Sequence, residues 1–468
     1  MRQPEPAAAA IPDALLAFQV PAAPRYRDDA AGKPGAEPRA VLAPRTTDDC
    51  ALILRGLQAA GLRAAVQGGR TGLSGGARVR PGEIVLSTEK LLAPPVIDPI
   101  AATLAAGAGT ALETAQMVAR EAGLFLAADL GARGSATLGG MAATNAGGPL
   151  ALRYGTFRQQ VLGLEAVLAD GSVVRRMGGL AKDNSGLDLS QLLIGSEGTL
   201  GIITEATLRI FKKPEIERGV VLAFPTMQAA LDSARLIMQA EIRPSIVRLY
   251  DRVESDERTK DIDLFRTKPF LAVLQFIGSE PMVSAEQDAA LAIAKAQGGE
   301  IAPEGPYLHW KQNRYVAYSQ KWHEAGYFND TIEVTGNWSA LPKMYDAIAK
   351  AVRAIYPGVH FGAHWSHVYP EGACQYMTVR LPPMPEAEAL PLHQKLWDAV
   401  EALTLDHGGS IAHHHGAGLF RNPWMQRELG SGLGVLQAIK DAIDPDNLFN
   451  PGKIGLRASA NAKDIRRD

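Results

Sequence analysis

The sequence predicts an α+β protein of two domains. The first mixes strands and helices, and the second is an antiparallel sheet with helices on one side. Three observations predict this. Glycine-rich, nearly uncharged segments recur early in the chain: GGRTGLSGG at Gly68–Gly76, TLGGMAATNAGG at Thr137–Gly148 and QLLIGSEGTLGIIT at 191–204. The stretch LGLEAVLADGSVVRR at 162–176 alternates and turns at Asp170-Gly171, which is a hairpin signal. After Phe211-Lys212-Lys213-Pro214 the pattern changes to strands separated by long helical repeats.

In chain order, residues 1–39 are rich in Ala and Pro and are expected to form a partly ordered extension. A first domain is expected over 40–213. Arg39–Leu42 reads as a strand, Thr46 or Thr47 caps a helix with Asp48 and Asp49 in its first turn, and Gly61 ends it. Arg63–Val66 is a second short strand that leads into the Gly68–Gly76 loop, and ligands of open α/β units bind at such strand ends. Gly107-Ala108-Gly109 imitates a dinucleotide fingerprint, but it lacks the third glycine and reads better as a strand-to-helix turn. A second domain is expected over 214–433, with helices at Met227–Ala240, Ala285–Ala296, Leu341–Ile355 and Ala387–Leu405. A C-terminal segment, 434–468, contains the turn DPDNLFNPGKIG.

Composition narrows the function. The chain has 468 residues, 46% hydrophobic and 21% charged, enough for large buried cores. Its net charge of -2 gives no electrostatic ground for a nucleic-acid partner. Two cysteines, Cys50 and Cys374, fit a reducing, cytoplasmic compartment and no disulfide framework. The N-terminus lacks a signal-peptide pattern and no apolar run is long enough for a transmembrane span; peripheral membrane contact stays open.

The motifs carry chemistry. Five glycines in nine residues after a strand can present successive N–H groups, with the Thr71 and Ser74 hydroxyls, to a pyrophosphate; the alternative is a plain loop. The small residues of Thr137–Gly148 either allow close helix packing or form a wall for a flat ring system. Together the three segments point to a flavin nucleotide. In the second domain, His364, His367 and Tyr369 precede a triple run, His413-His414-His415. Proton transfer, a metal site and a structural polar loop are the three readings. In an extended segment neighbouring side chains alternate faces, which argues against all three histidines meeting one ion. Arg248 lies in an apolar run, where a guanidinium either snorkels or meets an anion. Arg314 is a similar candidate, or else part of a surface helix face.

These pieces resemble a known family. GGRTGLSGG, TLGGMAATNAGG, Arg153–Gly155 and GSEGTLGIIT, in that order, are similar to the PCMH-type FAD-binding domain of the vanillyl-alcohol oxidase superfamily. The resemblance implies that Gln67, Gly68, Gly69, Arg70, Thr71, Gly72 and Ser74 hold the pyrophosphate. It further implies that Asp129, Ser135, Thr137, Gly140, Thr144, Glu197, Gly198 and Ile203 line the rest of FAD, with Asn450 of NLFNPGK folding back onto it. Because Gln67 and the glycine loop offer no histidine for a covalent link, FAD is expected to be non-covalent. The second domain resembles the C-terminal, FAD-oxidase type cap. SHVYPEGACQY and GGSIAHHHGAG look like the tyrosine and triple-histidine segments of alkyldihydroxyacetonephosphate synthases, and Arg248 falls on their substrate-phosphate arginine. The hydroxy-acid dehydrogenases of the superfamily carry a metal-holding pattern instead. His367 matches its first histidine, but Gln375 falls at the second's place and His414 replaces a glutamate, so no metal is expected.

The expected function is a FAD-dependent oxidoreductase that oxidises a small anionic 2-hydroxy acid or related CH–OH substrate. Tyr369, His413, His414 and His415 would be its proton movers, and Arg248, Arg314 and His367 would bind the substrate. The alternatives are a redox-neutral synthase of the alkyldihydroxyacetonephosphate type and, more distantly, a non-catalytic flavin-binding protein. A homodimer is the expected assembly.

Overall fold

The first helix, Thr47–Ala59, begins where the sequence places its cap. The Thr46 hydroxyl accepts the Asp49 N–H, and the Asp49 carboxylate accepts the Thr46 N–H. The computed structural model describes residues 10–31, 35–315 and 320–457. Ile53, Leu54 and Leu57 of this helix share a core with a four-stranded sheet in the order Gln19–Val20, Val41–Leu42, Ile84–Ser87, Ala64–Gln67. The last three strands are parallel. The expected strand–helix–strand unit is therefore present, with the Gly68–Gly76 loop leaving the carboxyl end of Ala64–Gln67.

The expected N-terminal extension differs. Its residues 1–9 and 32–34 lie outside the described residues. Of the rest, Gln19–Val20 pairs antiparallel with Val41–Leu42, and Leu15 and Tyr26 are fully buried. A few apolar anchors fix a stretch whose Ala- and Pro-rich composition suggests an arm.

A second sheet of the first half is antiparallel throughout, in the order Val96–Asp98, Thr103–Gly107, Ile202–Arg209, Val161–Val167, Val173–Arg176. It contains the expected hairpin, whose Asp170 carboxylate accepts the Ser172 N–H in the turn. Gly107 ends a strand and the helix Leu112–Glu121 follows, so Gly107-Ala108-Gly109 is the plain turn.

The second half is one seven-stranded antiparallel sheet. Its order is Glu300–Ala302, Ile216–Phe224, Phe270–Gly278, Ile246–Tyr250, His360–Val368, Gly372–Leu381, Phe328–Asn337. Helices Met227–Gln239, Glu280–Ala296, Leu341–Ile355 and Glu386–Asp406 contribute to a core with Val247, Leu249, Phe361, Ala363, Trp365, Met377, Ile332 and Val334. Strand periodicity then sends the intervening residues, Arg248, His364, Cys374, Tyr376 and Glu333, to the other face. One face carries the larger core, and the other carries these polar residues beside a smaller apolar cluster that includes Tyr250, Val273 and Tyr307.

Residues 448–453 lie against the first half. The Ala64 N–H donates to the Leu448 carbonyl and the Asn450 N–H to the Ala64 carbonyl, both at 2.8 Å, which adds a short parallel bridge beside Ala64–Gln67. Two buried lysines pin it. Lys440 Nζ donates to the carbonyls of Thr199 and Phe449 at 2.7 and 2.8 Å. Lys453 Nζ donates to the Gly76 carbonyl at 2.7 Å and to Asn450 Oδ1 at 3.1 Å. Burial lowers the Lys453 pKa, and the nearby carboxylates of Glu83, Asp29 and Glu197 oppose that shift. Removing one member of a buried charge group leaves the others uncompensated. Lys453→Met is therefore expected to lower the unfolding free energy by about 3 kcal/mol. Urea unfolding measures this; an unchanged midpoint and slope would show that the lysine does not hold the segment.

Candidate active site

The cofactor face is assembled from the glycine segments. Gly68 and Gly69 lie flat on the second segment: a Cβ at Gly68 would be 2.6 Å from the Thr137 hydroxyl, and one at Gly69 only 1.9 Å from the Ser135 carbonyl. Only a residue without a Cβ permits that approach. Thr137 caps the helix Leu138–Ala143, with its hydroxyl accepting the Gly140 N–H, and the Thr144 hydroxyl donates back to the Gly140 carbonyl at 2.9 Å. Among the described residues, no acceptor faces the backbone N–H groups of Gly68, Gly69, Arg70, Thr71 or Gly72. A half-buried run of unpaired donors fits the pyrophosphate of FAD. Arg70, at φ 56°, adds a positive charge within this run.

Other expected cofactor residues serve the loop from behind. Gln67 is fully buried, and its amide donates to the carbonyls of Tyr26 and Ala77 at 2.8 and 2.7 Å. Asn450 accepts the Val66 N–H at 2.9 Å and donates to the Glu197 carbonyl at 2.7 Å. The Ser74 carbonyl accepts from Leu419 and Phe420 of the other half. Ile203 is a buried rung of the antiparallel sheet. Asp129 pairs with Arg314 at 2.9 Å and accepts from the Tyr315 hydroxyl at 2.9 Å. The two residues expected on cofactor and substrate thus meet each other at the junction of the halves.

Opposite this face stand the imidazoles. The triple run is not an extended strand. It bends around the fully buried Glu333 carboxylate, which accepts the N–H groups of His413 at 2.6 Å, His415 at 3.0 Å and His414 at 3.4 Å. Arg421, also buried, donates to the Glu333 carboxylate at 3.4 Å and carbonyl at 3.0 Å, to the Gly416 carbonyl at 2.9 Å and to the Ile411 carbonyl. The expected alternation of faces is therefore wrong, because the backbone turns to satisfy a charge. His413 Nδ1 and His414 Nδ1 lie 2.9 Å apart, and the His367 ring is 4.9 and 4.7 Å from theirs.

His367 reaches the cluster through a β-bulge. Register shifts between Ser366 and Val368, and His367 adopts φ 49°. Without the extra residue His367 would follow Trp365 into the helix-covered face. Register also corrects the reading of Gln375. Its amide oxygen accepts from the Trp365 indole at 3.2 Å on the core side, and Cys374 takes the place among the imidazoles. Nitrogens of His367, His413 and His414 and the Cys374 sulfur all lie within 4.8 Å of one another and could hold a metal ion.

The electrostatics favour neutral bases. Burial, reinforced by neighbouring cations and imidazoles, holds His364, His367 and His414 well below the usual histidine range and lowers His415 to about 3. Burial also lowers His413, against the pull of Glu333. Burial raises the Tyr369 phenol, so it keeps its proton; its hydroxyl shares a hydrogen bond of 2.9 Å with His413 Nε2, and His413 Nδ1 continues the row to His414 Nδ1. Arg248 completes the row: its Nη2 donates to His364 Nε2 and its Nε to the Tyr250 hydroxyl, each at 2.9 Å. The His364 ring stacks on Tyr376 at 4.8 Å, and Tyr376 meets His415 edge-on. Glu333, Cys374, Tyr376 and Arg421 are the residues that sequence reasoning missed. Strand alternation could have placed the first three beside His364 and Arg248.

The halves meet at this point. A Cβ at Gly147 would be 3.2 Å from the His414 Cβ. The imidazoles therefore stand directly on the small-residue segment expected to wall the flavin.

Comparison with known proteins finds matches to both halves. Residues 213–454 match the family described as FAD linked oxidases, C-terminal domain, and 38–176 match FAD binding domain. D-2-hydroxyglutarate dehydrogenase of Xanthomonas citri pv. viticola is 29% identical over 89% of each chain. The mitochondrial D-2-hydroxyglutarate dehydrogenase of Danio rerio is 30% identical, over 88% of this chain and 78% of its own. An alkyldihydroxyacetonephosphate synthase structure superposes with a TM-score of 0.72 at 20% identity, covering 90% of this chain and 77% of that one.

Gly198 is a sensitive position for the cofactor face. It has φ 72°, and a Cβ there would meet Asn450 Nδ2 at 2.8 Å and Val66 Cβ at 3.2 Å. The wild-type protein is expected to release intact FAD on acid treatment, and folded Gly198→Val to retain none. Absorbance of the supernatant after acid precipitation measures both; flavin left on the precipitated wild-type chain would refute the non-covalent reading.

Proposed function

This chain belongs to the FAD-linked oxidase family and is a FAD-dependent enzyme, and we propose that it oxidises a small anionic 2-hydroxy acid at its CH–OH group. The observation that carries this reading is the state of Arg248. Its hydrogen-bond partners, Tyr250 and His364, are both neutral, and among the described residues no carboxylate pairs with it. A half-buried guanidinium with only neutral partners is an anion site, and its fork suits a carboxylate. The neutral imidazoles beside it suit removal of a hydroxyl proton. The names of the dehydrogenase relatives support the same substrate class.

In this reading Arg248 orients the substrate by its carboxylate, and His364, stacked on Tyr376, keeps the guanidinium aimed. A ring nitrogen of the His367–His413–His414 group takes the hydroxyl proton. Tyr369 and His413 share it through the hydrogen-bonded row. Bound FAD supplies the hydride acceptor. The absence of a side chain at Gly147 lets His413 and His414 approach the segment expected to wall the flavin.

The deciding experiment is anaerobic. A D-2-hydroxy acid from a panel including D-lactate and D-2-hydroxyglutarate is expected to bleach the bound flavin, with a dye acceptor sustaining turnover. Acyl-dihydroxyacetone phosphate with a long-chain alcohol, exchanged without bleaching, would establish the synthase reading instead. The triple-histidine loop favours that reading by resemblance.

Residue roles separate kinetically. His414→Ala and Tyr369→Phe are expected to lower kcat about 10²–10⁴-fold with flavin content unchanged, since a positioned proton-transfer group contributes that much. Arg248→Ala is expected to raise KM strongly, because the anion loses its clamp. Unchanged kinetics in all three would remove the row from the mechanism.

The pH profile has a definite sign. A base must be neutral to act, and burial lowers the pKa values of these histidines. Activity is therefore expected to persist as pH falls through 6.5, the ordinary histidine value, and to drop only below it. An acid limb centred at or above 6.5 in kcat/KM would exclude a buried imidazole as the base.

A further inference from the structure

We propose that Glu197, the glutamate of the GSEGTLG segment, is a positioning residue that registers the triple-histidine loop on the FAD-binding half. Each of its four polar atoms has a protein partner. Its N–H donates to the Ala143 carbonyl at 2.7 Å, and its carbonyl accepts from Asn450 Nδ2 at 2.7 Å. Its carboxylate oxygens accept the N–H groups of Ala417 at 2.7 Å and Gly418 at 3.0 Å. Those two residues follow His415 almost directly. Glu197 also holds φ 49°, a conformation that a non-glycine residue keeps only when its surroundings fix it. Its carboxylate therefore reaches the other half beside Gly76, the last residue of the Gly68–Gly76 loop.

The contact continues on both sides of this carboxylate. Leu419 and Phe420 both donate to the Ser74 carbonyl, at 2.9 and 3.1 Å. Gly418, at φ 51°, lies so close that a Cβ would be 2.1 Å from the same carbonyl. Ser74 belongs to the Gly68–Gly76 loop, so the chain leaving the histidines is sealed onto the loop that fits the pyrophosphate. Burial raises the Glu197 pKa, and the N–H groups of Ala417 and Gly418, with Lys453 and Arg421 nearby, oppose that shift. Two buried carboxylates thus govern one loop. Glu333 sets its shape within its own half, and Glu197 sets its distance from the cofactor loop.

The catalytic consequence rests on the proposed role of the histidines in taking the hydroxyl proton. The test uses the holoenzyme carrying Glu197→Gln, in which an amide NH2 faces one of the two N–H donors. Gly418→Ala breaks the same contact from the other side. Three readouts are needed: hydrogen exchange of the 411–420 amides, FAD titration of the apoprotein, and kcat per bound flavin at saturating FAD with D-2-hydroxyglutarate or D-lactate and a dye acceptor. Loss of a charge-assisted bond at a buried site predicts exchange faster by about tenfold or more at 416–420 and a comparable fall in kcat. FAD affinity and KM should change by less than about threefold.

Unchanged exchange in both variants would overturn the proposal. So would a kcat deficit fully reversed by excess FAD, which would make Glu197 a cofactor contact. Loosened exchange with unchanged kcat would also overturn it, provided His414→Ala lowers kcat in the same assay. If His414→Ala has no effect, the proton-transfer reading fails on its own, and hydrogen exchange still decides whether Glu197 registers the loop.

Discussion

The arrangement of the site depends on one buried carboxylate. Glu333 projects from the seven-stranded sheet, on the face opposite the larger apolar core, into a region from which water is excluded. An ionised carboxylate there is strongly unfavourable unless donors surround it. The chain supplies three successive backbone N–H groups and the Arg421 guanidinium. A second acid, Glu401, lies beside the same guanidinium, but burial raises it to about 8, so at neutral pH it is mostly uncharged. Arg421 can then serve Glu333 without a competing charge. The loop cannot relax to an extended form without stranding that charge, so the histidines converge.

The same rule, that a buried polar group must find partners, also joins the two halves. Glycine segments bring bare backbone together where side chains would keep it apart, and the backbone groups left over are met by Lys440, Lys453, Asn450 and Glu197. The residues expected at the cofactor thus fall into two sets. One set leaves its N–H groups open in the Gly68–Gly76 loop. The other stands behind that loop and holds it in shape. Gln67 and Asn450 belong to the second set, although their positions in the motifs suggest the first.

What could be read from the sequence follows from how local each determinant is. The Thr46 cap, the Asp170-Gly171 hairpin and the long helices of the second half are set by residues within a few positions of one another, and they form as expected. The antiparallel sheet of the second half follows from strand alternation, but short helices such as Gly305–Asn313 also pack on its other face. Three features needed longer-range information. The bulge at His367 depends on the pairing of two strands and flips one side chain. The curl of the histidine run depends on Glu333, some 80 residues earlier. The placement of Tyr26 and Leu15 in the core depends on few apolar residues in a stretch of otherwise unremarkable composition.

The C-terminal staple bears on how the protein is made. Val66 bonds Asn450 across 384 positions, and Lys453 reaches Gly76 across 377. A ribosome delivers the N-terminal half first, and domains ordinarily fold as they emerge. Here the sheet that carries the cofactor loop lacks its last neighbour until nearly the whole chain has been synthesised. During that interval Ala64–Gln67 offers an unfinished edge, the kind of surface that invites wrong pairing. The strand that leads into the Gly68–Gly76 loop therefore completes its hydrogen bonding only with a residue synthesised 384 positions later.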